Sequence, residues 1–290
     1  MTTPEGEIAG GDAGLPPSHT EVELVEEAFE HGVEGLGSGI IKLIEDVGGM
    51  LELLVQVAIS FFKPPYRVGL IFEQLDFVGV GSTFVVGITG LFTGMVFGLQ
   101  SYNAFALFNA QSLVGSTVAI ALARELAPVF SGLMVTARVG SSMATELGSM
   151  RVTEQIDALV TLAVDPIQYL VMPRMFAAVV MMPLLVLLFD VLGILGAYFV
   201  AVVTMGLSQG MFLGRIHTFI DPEDVIGGMI KGAVFGLIIS VVACYKGYNT
   251  TGGSKGVGQA TNQAVVTGSV AVLIIDYFLS IMLNPYWSKS

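Results

Sequence analysis

Charge is scarce in this chain. Lys, Arg, Asp and Glu together make up 12% of its 290 residues while 53% are hydrophobic, and so few ionic groups cannot cover a water-facing surface. Positive charge is scarcer still, with 12 Lys and Arg against 24 Asp and Glu. No basic stripe interleaved with aromatics occurs, which sets nucleic acid aside as a partner. The single cysteine, Cys244, excludes an internal disulfide and a Cys-based metal cluster; in its apolar run it reads as a small buried hydrophobe. The three histidines, His19, His31 and His217, all fall outside the long apolar runs. No His-Glu-x-x-His, Gly-x-Ser-x-Gly or Cys/His cluster is present, so neither catalytic residues nor a metal site is expected. Gly252-Gly253-Ser254-Lys255-Gly256 imitates a phosphate loop, but the Gly-x4-Gly-Lys-Ser/Thr spacing fails; any ATP hydrolysis belongs to another chain.

What the chain does have is long apolar runs and 36 glycines, the composition of helices packed in a bilayer. The expected fold is all-α and integral to the membrane: an N-terminal interfacial amphipathic helix, then about five transmembrane helices, with a short cytoplasmic helix between spans two and three. Residues 1–35 read as an acidic disordered tail, since residues 1–52 hold 12 of the 24 acids and one base, Lys42. They carry no basic and apolar leader of the kind cleaved on export. Residues 36–77 read as interfacial helices: Lys42, Glu45, Asp46, Gly49, Glu52, Gln56, Ser60 and Lys63 form a polar stripe on an otherwise apolar helix that ends at Pro64-Pro65. A helix packed on a partner protein is the competing reading. A second amphipathic piece, Val68 to Phe77, leads into the membrane domain, residues 78–290.

The spans fall at about Val78–Gln100, Gly115–Leu147, Arg174–Met205, Val225–Tyr245 and Ala264–Leu283. The first and fourth carry glycine ladders, Gly90/Gly94/Gly98 and Gly228/Gly232/Gly236, flat faces for neighbouring helices. The third is expected to be interrupted by Pro183 and Asp190. Asn284-Pro285-Tyr286-Trp287 closes the fifth with an aromatic interface anchor. With the N-terminus inside, Lys42, Lys63, Arg67, Arg151, Arg174, Lys246 and Lys255 are cytoplasmic against Arg215 and Lys289 outside, so the positive-inside rule puts the C-terminus in the periplasm.

Between spans two and three, Val152, Ile156, Leu159 and Ala163 recur at helical spacing opposite Arg151, Glu154, Gln155 and Asp157, and Asp165-Pro166 starts the next element. Periodicity alone favours an ordinary loop helix over one gripped by a motor. Inside the membrane, Arg124 and Glu125 lie 21 residues before Glu146 in the case of Glu125, about 31 Å along a helix and so near the opposite face. Neighbouring helical residues point about 100° apart and are not expected to share one partner. Either the pair serves a lipid-sized cavity, Arg124 holding a phosphate and Glu125 shaping the mouth, or it is a structural ion pair or simply snorkels to the interface. Arg138 needs a partner, with Asp190, Lys231 and Asp276 as the available mid-span charges, and one sequence does not pair them.

Arg124-Glu125-Leu126-Ala127-Pro128-Val129, Ala137-Arg138-Val139-Gly140-Ser141, Ala144-Thr145-Glu146-Leu147-Gly148, Met150 to Leu159, and Val164-Asp165-Pro166 together resemble the signature of the MlaE (YrbE) permeases, membrane subunits of MCE-associated ABC-type lipid transporters. The likeness runs from about Leu75 through Gly94-Met95-Val96-Phe97-Gly98-Leu99-Gln100 and Gly247-Tyr248-Asn249 to Asp276. The resemblance implies a homodimer in a bacterial inner membrane, a cytoplasmic ABC ATPase that binds the ATP and magnesium, a periplasmic ring of MCE-domain proteins, a STAS-domain subunit and a glycerophospholipid cargo moved between inner and outer membranes. It makes Arg151, Thr153, Glu154, Gln155, Asp157 and Leu159 the coupling helix to that ATPase. It also puts Glu125 at the lipid pocket, with Arg124, Gly94 and Gly98 as companions. A secondary lipid transporter driven by an ion gradient, or a membrane scaffold, is the alternative.

Overall fold

The computed structural model describes residues 41, 44–64 and 67–287, with side chains as far as Leu283. The acidic tail expected over residues 1–35 lies outside these, as do Lys42 and Pro65. Residues 44–61 are helical. In this helix Leu53, Val57 and Ser60 are buried, and Phe61 stacks on Phe176 of the third span at 6.0 Å. Ser60 thus lies on the packed side rather than in the polar stripe, a placement that its small hydroxyl tolerates. Leu51, Val55 and Ile59 leave a second, exposed apolar face.

Five helices long and apolar enough to cross a membrane follow: Val68–Ala106, Gln111–Val152, Ile167–Thr204, Pro222–Tyr248 and Gly253–Leu283, the last continuing to Trp287. No strand occurs among the described residues. Helices satisfy their backbone groups internally, as a bilayer requires, and the chain is an all-α integral membrane protein. The amphipathic piece Val68–Leu75 runs into the first span through one π turn, Asp76–Val80. One expectation needs correction: Pro183 and Asp190 do not interrupt the third span, and both stand within the continuous α-helix Met172–Tyr198. Neighbouring helices make a proline tolerable in a membrane helix despite its missing N–H. The connection between the third and fourth spans also holds a helix, Gln209–Phe219, pinned by the fully buried Phe212, whose ring meets Tyr198 edge-on at 5.6 Å.

The spans alternate in direction, and glycine sets their closest approaches. The first and third run parallel, with Gly90 against Phe189, Gly94 against Gly193 and Gly98 against Ala197; a Cβ on Gly98 would lie 3.0 Å from the Ala197 Cα. The ladder on the fourth span serves two neighbours, since Gly228 meets Ala123 of the second span while Gly232 and Gly236 meet Val186 and Ala178 of the third. The second span packs against both the fourth, which it parallels, and the fifth, which it opposes through Thr145 and Thr261 hydroxyls 2.8 Å apart. Phe189, Phe235, Leu122, Met143 and Met182 fill the space among them, all fully buried. Cys244 is buried as a free thiol. The fifth span leaves Val266, Val270, Leu273, Ile274, Phe278 and Met282 exposed.

Candidate functional site

The second span departs from α geometry where its charges lie. Leu122–Leu126, which contains Arg124 and Glu125, is a π turn, and so is Thr136–Gly140, which contains Arg138. The cause of the first is legible in the chain: Pro128, at the start of the next α segment, has no N–H for the carbonyl four residues back, which is that of Arg124. A buried carbonyl left without its helical donor needs another. Lys231 of the fourth span supplies it, donating from Nζ to Arg124 O at 2.9 Å.

Lys231 is fully buried and has more partners than that carbonyl. Its ammonium lies 2.8 Å from Glu125 Oε2 and 3.1 Å from Asp276 Oδ1, and it donates to Ser280 Oγ at 2.8 Å. One cation thus joins the second, fourth and fifth spans, as a buried charge must be paired to be tolerated in a membrane. Arg124 donates from Nε to Asp224 Oδ1 at 2.7 Å. Asp224 is buried, and its other oxygen accepts the Asp221 N–H at 3.1 Å, closing a capping box at the start of the fourth span. Arg124 and Glu125 therefore do share a partner helix, contrary to the expectation from their 100° separation. Asp224 and Lys231 lie seven residues apart on one face of it, and two long side chains leaving a π turn reach both.

Beside this network, between the second and fifth spans, lies a cleft of about 610 Å³. Ile120, Ala121 and Ile281 form its apolar walls, Thr117, Tyr277 and Ser280 bring hydroxyl-bearing side chains, and Arg124 and Glu125 line it. The Glu125 side chain is 43% exposed, whereas that of Lys231 behind it is 0% exposed. Gly94 and Gly98 are not part of this cleft; they lie in the contact with the third span. Arg138 pairs with none of the mid-span carboxylates. Its guanidinium donates to Phe77 O at 3.1 Å and Ser82 Oγ at 3.0 Å, over the Phe77 ring. Asp190, buried in the third span, makes no hydrogen bond with either carboxylate oxygen among the described residues, so it stands outside the network. Sequence reasoning missed Asp224, Tyr277 and Ser280. Two of them had a signal: Asp224 lies two helical turns before Lys231, and Ser280 one turn after Asp276.

At the opposite end of the bundle the second span ends at Val152. Glu154 adopts a left-handed conformation, φ 59°, and turns the chain into a separate short helix, Gln155–Thr161. Arg151 and Thr153 thus belong to the end of the span and the turn, not to the short helix. Arg151 pairs with Asp157 at 2.7 Å across the turn, and Gln155 Nε2 donates to Thr153 Oγ1 at 2.9 Å. Ile156 anchors the short helix, fully buried, and Leu159 packs on the core, while Val160 and Leu162 are exposed. Asp165 begins the third span as expected, its carboxylate accepting the Ile167 N–H at 2.9 Å. Nearby, Arg174 ties the third span to the second through Glu146 at 3.0 Å.

Known proteins share this organisation in sequence. The family described as Permease MlaE matches residues 71–282. A probable ABC transporter permease protein of Rickettsia felis is 44% identical over 245 residues, 84% of this chain and 95% of that protein. The intermembrane phospholipid transport system permease protein MlaE of Haemophilus influenzae is 34% identical over 254 residues, 87% of this chain and 97% of its own. The chloroplastic protein Trigalactosyldiacylglycerol 1 of Arabidopsis thaliana is 37% identical over 225 residues, 78% of this chain and 64% of that protein. The matched region takes in all five spans, the charged π turn with its lysine, and the turn at Glu154, and on that extent the chain belongs to the MlaE permease family.

Proposed function

We propose that this permease provides the path for glycerophospholipid in an ABC transporter that moves lipid between the inner and outer membranes of a bacterium and maintains the lipid asymmetry of the outer one. Two copies form the path, a cytoplasmic ATPase hydrolyses ATP, and an MCE-domain ring with a STAS-domain subunit completes the assembly. The N-terminus and the helix Gln155–Thr161 face the cytoplasm, where the ATPase engages that helix; the cleft at Glu125 lies toward the periplasm, as does the C-terminus. The helix of residues 44–61 lies along the membrane surface. The observation that carries this reading is the cleft. Its volume is that of a site for a sizeable ligand, and it joins apolar walls to an ion-paired floor, the two surfaces an amphiphile requires. The phospholipid named for the Haemophilus relative is such an amphiphile.

Co-purification and activity test it. The intact permease should retain an ATPase subunit whose phospholipid-stimulated hydrolysis collapses in the E154K/D157K variant, because both exposed acids lie on the surface offered to that subunit. In detergent-solubilised protein stripped of bilayer lipid, photocrosslinkers at Ile120 and Ile281 should capture co-purified phospholipid, whereas one at Phe84, exposed on the first span, should capture far less. If the purified chain moves lipid alone under an ion gradient, the secondary-transporter reading replaces this one; if it neither moves lipid nor supports a partner that does, the scaffold reading does.

A further inference from the structure

The two carboxylate oxygens of Glu125 differ in their surroundings. Oε2 is held by Lys231 at 2.8 Å and lies 3.1 Å from Ser280 Oγ. Oε1 has no hydrogen-bond partner among the described residues, and the side chain that bears it is 43% exposed on the cleft. The cations of the network stand differently. Lys231 is wholly enclosed behind Glu125 and cannot reach a ligand, and Arg124 directs Nε into Asp224. Among the described residues, two cations, Arg124 and Lys231, are matched here by three carboxylates, Glu125, Asp224 and Asp276. The cleft thus offers a ligand an anionic acceptor, flanked by Thr117 and Tyr277 and backed by Ile120 and Ile281.

Such a wall discriminates among lipid headgroups by two separate properties. A headgroup with net negative charge meets like charge at low local dielectric, which disfavours it. A headgroup with its own cation is attracted, and one whose cation carries N–H bonds also forms a charge-assisted hydrogen bond to the open oxygen, the stronger class of such bonds. Resting on the reading of this cleft as the lipid site, we infer that the permease selects a zwitterionic glycerophospholipid bearing a primary ammonium, the phosphoethanolamine class. Its N–H groups donate to Glu125 Oε1 and its phosphate lies on the Arg124 side. Glu125 is then the residue that sets headgroup specificity, and Lys231 is the positioning residue that fixes its rotamer.

The test uses the full-length permease, carrying a photocrosslinker at Ile281, in bilayers with equal amounts of five lipids of identical acyl chains: phosphatidylethanolamine, its N-methyl and N,N-dimethyl forms, phosphatidylcholine and phosphatidylglycerol. Adducts are counted by mass spectrometry. Adduct yield should fall stepwise as N–H donors are replaced by methyl groups, by about tenfold from the first lipid to phosphatidylcholine, the scale of one charged hydrogen bond. Phosphatidylglycerol should label no better than phosphatidylcholine. In E125Q, which keeps the side-chain shape, the profile should flatten. Equal labelling of all five lipids by the unsubstituted protein, or phosphatidylglycerol leading, overturns the inference while leaving the cleft a lipid site. Absence of every adduct overturns the reading of the cleft itself.

Discussion

Lys231→Met removes the cation that joins three spans and leaves a side chain of comparable length, so its cost comes from the charges and acceptors left behind. Taking one partner from a buried ion pair costs about 3–5 kcal/mol. Here the two stranded carboxylates are unequal: Glu125 at 43% exposure retains water and contributes on the scale of a surface pair, under about 1 kcal/mol. Asp276 at 17% exposure bears most of the loss, together with the Arg124 carbonyl, a buried acceptor worth about 1–3 kcal/mol when orphaned. The low end of the range applies, about 3 kcal/mol, or roughly 150-fold in the unfolding equilibrium. Adding Asp276→Asn removes the stranded charge, so K231M/D276N should recover stability relative to K231M alone. The assay is equilibrium unfolding in mixed micelles titrated with an anionic denaturing detergent, followed by circular dichroism. A K231M protein as stable as the parent would refute the assignment of Lys231 as the tie among the spans. So would a double variant weaker than K231M, because it would mean that Asp276 is stabilised by something else.

Further outcomes derive from the packing. Gly94→Ala places a methyl group on the Gly193 backbone and should cost about 1–3 kcal/mol, seen as a lower melting temperature, whereas Gly258→Ala, with open space around it, should leave melting unchanged or raise it. Arg138→Lys places its ammonium one bond short of Nη1, the single atom that donates to both Phe77 O and Ser82 Oγ, and removes the guanidinium plane over the Phe77 ring, so it should destabilise the first span, read as faster hydrogen exchange over residues 76–86. Asp157→Asn breaks only a solvent-exposed pair with Arg151 and should shift stability by less than about 1 kcal/mol; a larger change in melting would show that the Glu154 turn depends on that pair.

How much of this was legible in the chain depends on the scale of the feature. The spans were, because bilayer thickness demands long apolar runs, and the glycine ladders announced where helices approach closely. Gly94 and Gly98 show the limit of that signal: a ladder says that a neighbour is near but not whether the neighbour is another span or a ligand. Pro183 misled because the rule that prolines break helices belongs to water, where the vacated carbonyl can be solvated. The pairing of Lys231 was out of reach, since it joins residues 106 positions apart, and the shared partner of Arg124 and Glu125 was hidden by the π turn. Pro128 was in plain view four residues after Arg124, and its missing donor was the available clue.

A π turn holds one residue more than the α turn it replaces. The segments Val114–Ala121, Ala127–Val135 and Ser141–Val152 of the second span are therefore out of phase, each joint rotating the next segment by about one residue, or roughly 100°. A helical wheel drawn through the whole span assigns its faces wrongly beyond each joint, and a scan of substitutions along it should show a periodicity that resets twice. The resets fall at Arg124-Glu125 and at Arg138, so this membrane helix carries its charges at the hinges of its own screw.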